Sequence, residues 1–160
     1  MDKKCKGQVD ELNKLWHRML VESNYEDIES KYSNIQELST NEIAIIRIIS
    51  EKEEVIIKDI LEVLKLPKST LTSIIDRLEK RNLIVRAISK RDRRSYKLEL
   101  TEKGKIVQDE HIKFEEEVYG KIIISLDSYE EREELLNIIK KIAGNISSRW
   151  WIKTLVSEWN

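Results

Sequence analysis

PKSTLTSIIDRLEKRN, residues 67–82, is the stretch that decides the fold of this chain. Its apolar residues recur at i, i+3, i+4 and i+7, the spacing that places side chains on one face of a helix. These residues are Leu71, Ile74, Ile75 and Leu78. The other face carries six polar residues, which are Ser69, Thr72, Ser73, Asp76, Arg77 and Lys80. The pattern predicts a helix that buries an apolar stripe and presents a polar outer face.

A basic hairpin follows this helix directly. The sequence IVRAISKRDRRSYKLEL, residues 84–100, has two short runs of β-branched or alternating apolar residues, separated by a polar loop at residues 90–95. In the second run Tyr96, Leu98 and Leu100 alternate with polar residues, a period of two that suits a half-buried strand. The loop is therefore predicted to be a wing. Its tip carries three arginines, Arg91, Arg93 and Arg94.

The distribution of charge separates this region from the rest of the chain. The whole sequence has 29 basic and 30 acidic residues, a formal net charge of -1. From Arg77 to Lys97, nine basic residues stand against two acidic ones, a local net charge of +7. Residues 115–134 hold eight acidic and two basic residues, a local net charge of -6. A solvated charged face is the alternative explanation, but a basic patch on a helix and hairpin favours contact with duplex DNA.

The chemistry of the helix agrees with a DNA-reading role. Short hydroxyl side chains near its start allow the backbone to approach base edges and phosphates, and the later Arg and Lys reach further along the groove. We therefore predict that this helix enters a major groove.

Length and composition indicate a single domain, residues 1–160, mainly α-helical with a small β-hairpin (α+β). Four Gly and one Pro leave little room for flexible linkers. The chain lacks a run of 18 apolar residues and a secretory signal, and its single Cys5 agrees with a reducing compartment. We expect a cytoplasmic protein with no cofactor and no membrane contact.

Amphipathic helices are predicted on the N-terminal side, at about residues 8–23 and 25–36. Ser39 and Glu42 have the spacing of a capping box that begins a third helix. Val55 and Ile56 fit a short edge strand, and the next helix begins at Ile57 and is expected to end at Leu66 and Pro67. Pro67 fits the first turn of the helix that follows.

Two longer helices are predicted after the hairpin. Thr101 is positioned to cap a helix that runs to about residue 125, and Ser128 with Glu131 is positioned to cap another. The last helix carries an apolar stripe that ends at Ile146.

These segments together resemble the MarR family of bacterial transcriptional regulators. The resemblance covers about Leu38 to Lys105, and its most specific parts are STLTSIIDRLEK, DRRS and LTEKG. It implies a winged helix-turn-helix DNA-binding region at residues 38–101. It also implies N- and C-terminal dimerisation helices at residues 1–37 and 102–160, the latter ending in a Trp-rich tail.

By this resemblance the protein is a sequence-specific double-stranded DNA-binding transcriptional regulator, a ligand-responsive repressor that acts as a homodimer on a pseudo-palindromic operator. The residues of the recognition helix that would face the major groove are Ser69, Thr70, Thr72, Ser73 and Arg77. Arg94 would enter the minor groove. Asp92 would brace the wing by pairing with a nearby Arg. The predicted DNA-binding residues are Lys68, Ser69, Thr70, Thr72, Ser73, Arg77, Lys80, Lys90, Arg91, Arg93 and Arg94.

The family also implies a small aromatic effector, held in a cleft between the dimerisation helices and the winged region. Trp16, Tyr32 and His111 are hypothetical contacts for it. His111 lies on an apolar stripe, so a satisfied interface histidine is favoured over a metal ligand, and no metal site is predicted.

Two other functions stay open at this point. Cys5 would make the protein a thiol-based redox-sensing regulator if the thiol were reactive. A winged-helix protein-interaction module would need an apolar outer face on the recognition helix, and its six polar residues count against that. No catalytic residues are predicted, because the chain shows neither a paired nucleophile and base nor a Gly-rich phosphate loop.

The tail RWWIKTLVSEWN, residues 149–160, has a strongly amphipathic helical pattern. Packing in the core or the dimer is the favoured role. A lid over an aromatic ligand and contact with a membrane surface are the alternatives.

Overall fold

The computed structural model describes residues 3–90 and 95–157, with side chains described as far as residue 146. The helices are α1 Lys3–Glu22, α2 Tyr25–Ser30, α3 Ser33–Gln36, α4 Thr40–Glu51, α5 Ile57–Leu64, α6 Lys68–Lys80, α7 Glu102–Ile124 and α8 Tyr129–Ser157. The strands are β1 Val55–Ile56, β2 Ile84–Ile88 and β3 Tyr96–Leu100. The chain is thus mainly helical with a small antiparallel sheet, as the sequence predicts.

Two compact units are present, residues 1–118 and 119–160. The first contains the core, where α4, α5 and α6 pack with the sheet around side chains that are almost completely buried. These include Ile45, Ile46, Val55, Ile60, Leu71, Ile75, Leu78, Ile84 and Leu98. Each fully buried Ile or Leu side chain contributes about 1.5–3 kcal/mol of transfer free energy, so this cluster stabilises the unit that carries α6.

The sheet has the order β1-β3-β2, and all pairs are antiparallel. β3 lies in the middle, where Leu98 is opposite Val55 on one side and Arg86 on the other. The edge strand predicted at residues 55 and 56 is therefore confirmed. The hairpin β2–β3 comes directly after α6, which places the base of the wing beside that helix.

The helix predicted at residues 25–36 is wrong as one element, because the structure divides it into α2 and α3. Tyr32, between the two helices, has φ -112 and ψ 67, outside the helical region. Its ring packs edge-on against Phe114 with centroids 5.9 Å apart, and its hydroxyl donates to Glu117 at 3.1 Å. We attribute the break to these contacts with α7, which local periodicity does not encode.

Two helix starts also differ from the sequence prediction. α1 begins at Lys3 rather than near residue 8, because its first turns are polar and exposed and so carry no apolar period. Pro67 lies at the N-cap of α6, with φ -56 and ψ 139, and not within the first turn.

Three predicted caps are confirmed. The Glu42 carboxylate accepts from the Ser39 amide at 2.8 Å, and the Glu42 amide donates to the Ser39 hydroxyl at 3.4 Å. The Gly104 amide donates to the Thr101 hydroxyl at 3.0 Å, and the Glu131 amide donates to the Ser128 hydroxyl at 3.1 Å. Each cap satisfies a donor that would otherwise be unpaired at a helix start.

Gly104 permits a close approach between α7 and the end of the loop before β2. A Cβ at this position would lie 2.0 Å from the Leu83 carbonyl oxygen. That carbonyl also accepts from the Thr101 amide at 3.1 Å, so it is fixed in place. The glycine of the LTEKG sequence is therefore required by the packing of α7 against the winged region.

Apolar side chains remain exposed on α1 and α8. On α1, Leu12, Leu15 and Trp16 are 63%, 55% and 56% exposed. On α8, the predicted stripe residues Ile138, Ile139, Ile142 and Ile146 are all about half exposed. None of the helices in the described part of the chain has the length and apolar character needed to cross a membrane.

Candidate nucleic-acid interface

The outer face of α6 is exposed, as its sequence pattern predicts. Leu71, Ile74, Ile75 and Leu78 are buried against the core. The predicted contact residues on the helix are all exposed, and these are Lys68, Ser69, Thr70, Thr72, Ser73, Arg77 and Lys80. One helix therefore presents hydroxyl groups in its first half, with cations at Lys68 before them and at Arg77 and Lys80 after them.

The hydroxyls on this face are oriented by the helix itself. Thr72 donates to the Lys68 carbonyl at 2.9 Å, and Ser73 donates to the Ser69 carbonyl at 3.1 Å. Their oxygens keep lone pairs directed away from the helix, so they can accept hydrogen bonds from a ligand without moving. The sequence does not show this, since it depends on the χ1 angles of the two residues.

The guanidinium of Arg77 lies beside a buried carboxylate. Its Nε lies 3.5 Å from a Glu42 carboxylate oxygen, and the Glu42 side chain is only 6% exposed. Burial alone would raise the pKa of the Glu42 carboxyl. The hydrogen bonds from Ser39 and the charges of Arg77 and Arg81 outweigh it and hold that pKa below its usual value. Glu42 thus stays ionised and links the start of α4 to the recognition helix.

Several basic residues of the +7 patch are occupied within the protein. Arg86 on β2 bonds to Asp76 and lies 3.3 Å from the carboxylate of Glu79. Arg81 donates to the Glu37 carbonyl at 3.1 Å, and Lys97 pairs with Glu99. The sequence interpretation of these residues as part of one open cationic patch overstated the charge available to a polyanion.

The base of the wing is anchored on both sides. The Ser89 amide donates to the Ser95 carbonyl at 3.1 Å, and the Ser89 hydroxyl donates to Glu54 at 2.5 Å. Lys90, the last residue described before the loop, is exposed. The predicted residues Arg91, Asp92, Arg93 and Arg94 lie outside the described residues.

A shallow groove borders the interface. It measures about 420 Å³ and is lined by residues from α5, the start of α6 and the start of β3. Lys58, Lys68 and Ser95 supply its polar groups, and Ile57, Leu61 and Tyr96 supply its apolar ones. The backbone of DNA likewise alternates charged phosphates with less polar sugars.

The three hypothetical effector contacts are not all brought together. Tyr32 and His111 lie on two sides of Phe114, with the His111 and Phe114 rings stacked at 6.5 Å. Trp16 is exposed on α1, and none of the three residues lines the groove beside α6 or the grooves within residues 17–27 and 129–141. The sequence reading missed Phe114 as the centre of this cluster, although it stands on the same stripe as His111.

The ring of His111 is not satisfied within the described part of a single chain, and the interface partner expected for it stays a prediction. The residue is buried, but its Nδ1 has no hydrogen-bond partner among the described residues. Its Nε2 lies 3.8 Å from a Glu115 carboxylate oxygen, too long for a hydrogen bond. The described residues contain no group of three His, Cys, Asp or Glu side chains suited to a metal.

Cys5 is half-buried near the start of α1.

Comparison with known proteins agrees with this architecture. Residues 38–96 match the model of the MarR family. The HTH-type transcriptional regulator SarZ of Staphylococcus epidermidis is 30% identical over 94 residues, which cover 58% of this chain and 64% of SarZ. The matched part thus spans less than two thirds of that relative's length.

Two solved structures share the fold. Streptococcus pneumoniae FabT, in complex with DNA, is 24% identical and has a TM-score of 0.70, with 89% of this chain and 98% of that chain covered. Bordetella bronchiseptica BpsR, whose DNA binding is regulated by 6-hydroxynicotinic acid, is 18% identical with a TM-score of 0.57, covering 82% and 91%.

The fold, the hairpin beside α6 and these likenesses define a winged helix-turn-helix protein. Within that fold, residues 38–96 are similar to the MarR family, whose model they match.

Proposed function

We propose that this protein is a sequence-specific transcriptional regulator that binds double-stranded DNA. The observation that carries the proposal is the exposed face of α6, where preoriented hydroxyls and Arg77 stand beside an anchored hairpin. The SarZ relatives are transcriptional regulators, and FabT shares this fold in a complex with DNA. In this arrangement α6 enters the major groove and the wing contacts the adjacent minor groove.

The predicted contacts divide into two chemical classes. Thr72, Ser73 and Arg77 face the base edges and set the sequence preference. Lys68, Lys80 and Lys90 bind phosphate and set affinity and its salt dependence. Arg94 is assigned to the minor groove, where narrow A·T-rich segments have the most negative potential.

A homodimer is the proposed DNA-binding form. Large apolar side chains on α1 and α8 are about half exposed, and such surface on a soluble chain is typical of an interface. Two-fold pairing through these helices would present two recognition helices to a pseudo-palindromic operator.

We further propose repression relieved by a small aromatic effector. Regulation of BpsR by 6-hydroxynicotinic acid supports this role for a protein of the same fold. The rings of Tyr32, His111 and Phe114 form the aromatic cluster to which we assign the ring of this effector. An effector acts here only if it binds one spacing of the recognition helices more tightly than the other.

The proposal is tested by fluorescence anisotropy with the full chain and a labelled duplex from the region upstream of its own gene. We expect affinity to fall by orders of magnitude between about 50 and 200 mM salt, as phosphate neutralisation requires. Lys68→Ala should reduce the slope of log affinity against log salt concentration by about one. Lys113→Ala, at an exposed lysine of α7, should leave that slope unchanged. A duplex affinity that changes neither with salt concentration nor on Lys68→Ala would refute the proposed function.

A further inference from the structure

The recognition helix carries an acid on the face that the proposed function turns toward DNA. Asp76 lies one turn after Thr72 and next to Arg77, and its side chain is 57% exposed. Glu79, one turn further, is 38% exposed. Two uncompensated carboxylates on this helix would repel the phosphates that flank a groove.

Arg86 lies against both of these acids. It projects from β2, opposite Leu98 in the sheet, and its two terminal nitrogens go to different carboxylates. Nη2 bonds to Asp76, and Nη1 is 3.3 Å from Glu79. A planar guanidinium suits this task, because its fork can serve two acceptors at once.

The same geometry argues against a phosphate-binding role for Arg86. Its side chain is only 29% exposed, and its Nε is buried without a hydrogen-bond partner among the described residues. The guanidinium is therefore directed into the protein, toward α6, and offers little surface to a DNA backbone. Arg77, whose side chain is 61% exposed, has the opposite character.

We propose that Arg86 is a positioning residue that acts as the internal counter-ion of the recognition helix: it neutralises Asp76 and Glu79 so that the outer face of α6 can approach a polyanion. It also ties β2, the strand that leads into the wing, to the helix. Arg86 acts through the two acids and not by touching DNA. This inference rests on the proposed function, since it concerns how that same interface tolerates its own acids.

A double-mutant cycle tests the proposal by DNA affinity at fixed salt. Arg86→Gln leaves both acids uncompensated, and we expect it to weaken duplex binding by about tenfold, the order given by unit charges several ångströms apart near a surface. The pair Asp76→Asn and Glu79→Gln should bind at least as tightly as the wild type. Adding Arg86→Gln to that pair should cost less than about twofold, because no acid then needs a counter-ion.

The salt dependence separates this role from a direct contact. For Arg86→Gln we expect the wild-type slope of log affinity against log salt, because no phosphate contact is lost. If Arg86→Gln costs the same factor with and without the two acids and lowers the slope by about one, Arg86 is a phosphate ligand and the inference is wrong.

Arg47→Gln is the matched control. Arg47 also joins two acids, Glu51 at 2.9 Å and Glu115 at 3.4 Å, but it lies on α4 away from the outer face of α6. Its loss should leave DNA affinity unchanged. If Arg86→Gln does not fold, the Asp76→Asn and Glu79→Gln pair still decides, because affinity weaker than wild type would overturn the counter-ion role.

Failure of the proposed function and failure of the counter-ion role give different results. A wild-type chain without salt-dependent duplex binding overturns the proposed function together with this inference. A wild-type chain that binds duplex, with effects of Arg86 and the acids that simply add, overturns the counter-ion role alone.

Discussion

At the scale of single residues, α6 combines the groups that we propose read bases with groups that hold those side chains in place. Thr72 and Ser73 donate backward to their own helix, which leaves their lone pairs outward. Glu42, buried beside Arg77, is ionised because hydrogen bonds from Ser39 and the positive charges of two arginines stabilise its carboxylate. The outward position of Thr72 and Ser73 can be predicted from the helical period of the sequence. The contact of Glu42 with Arg77 cannot, because it depends on the packing of α4 against α6.

Removing a hydroxyl should change base preference and not folding. We expect Thr72→Ala and Ser73→Ala to alter the ranking of duplexes selected from a random library, while the free energy of unfolding stays within about 0.5 kcal/mol of wild type because both side chains are exposed. Lys68→Ala is the comparison, since loss of a phosphate contact should weaken all duplexes alike. If neither variant changed the ranking of duplexes, Thr72 and Ser73 would not be contacts to base edges.

The ionised form of Glu42 should make stability depend on pH. Its pKa is lowered in the folded protein, so it contributes stability above the ordinary value of 4.5, and that contribution is lost as the pH falls through the lowered pKa. Glu42→Gln keeps the shape of the cap but not the charge. We expect it to cost about 1 kcal/mol in urea unfolding at pH 7 and progressively less below pH 4.5.

Glu51→Gln is the control for this measurement, because Glu51 is an exposed acid on the same helix. Its effect should be near zero at every pH. A Glu42→Gln difference that does not change with pH would contradict the buried-charge explanation.

At the scale of elements, the sequence predicts those parts whose causes are local. The apolar stripe of α6 and the capping residues Ser39, Thr101 and Ser128 are read correctly from spacing. The strand β3 is present, but the predicted alternation is not, because only Leu98 is buried and Tyr96 is 57% exposed. The division of residues 25–36 cannot be read from spacing, because its cause is a ring and a carboxylate on α7, more than 80 residues away.

The candidate site shows the same limit. Exposure of the predicted residues on α6 follows from helical period, but the engagement of Arg86 by Asp76 and Glu79 does not. That contact exists only once β2 lies beside α6. Charge counted along the sequence therefore gives an upper bound to the charge that a ligand meets.

The contact of α7 with the loop before β2 should tolerate no side chain at Gly104. We expect Gly104→Ala to lower the free energy of unfolding by at least about 2 kcal/mol, since a Cβ would lie 2.0 Å from a fixed carbonyl oxygen. Gly120→Ala is matched on the same helix, and a Cβ there meets nothing within 4 Å. It should raise helix stability by up to about 1 kcal/mol. Equal effects of the two substitutions on thermal unfolding would contradict the close-packing argument.

At the scale of the whole molecule, we propose self-association as the reason for the exposed apolar residues of α1 and α8. Trp16 and Leu12 on α1 are 56% and 63% exposed, and Ile142 on α8 is 51% exposed. The Trp-rich end of the chain continues α8, whose backbone is helical to Ser157, while the side chains beyond residue 146 lie outside the described residues. The two-fold form remains a proposal.

Deletion of residues 149–160 tests the role assigned to the tail. If the tail packs in the dimer, the shortened chain should dissociate at higher concentration or melt at lower temperature than the full chain, because apolar contact area is lost. Mass from light scattering over a dilution series, together with thermal unfolding, measures both effects. A shortened chain with unchanged mass and stability would leave the lid or membrane-surface role.

The most direct test of a two-fold DNA reader is hydroxyl-radical footprinting of the full chain on its upstream intergenic DNA. We expect two protected segments on one face of the duplex, with centres about one helical turn, roughly 34 Å, apart. They should weaken together when Arg77 is replaced by Ala, because both copies of α6 lose the same contact. A single protected segment would contradict the two-fold arrangement, and no protection at low salt would contradict DNA binding itself.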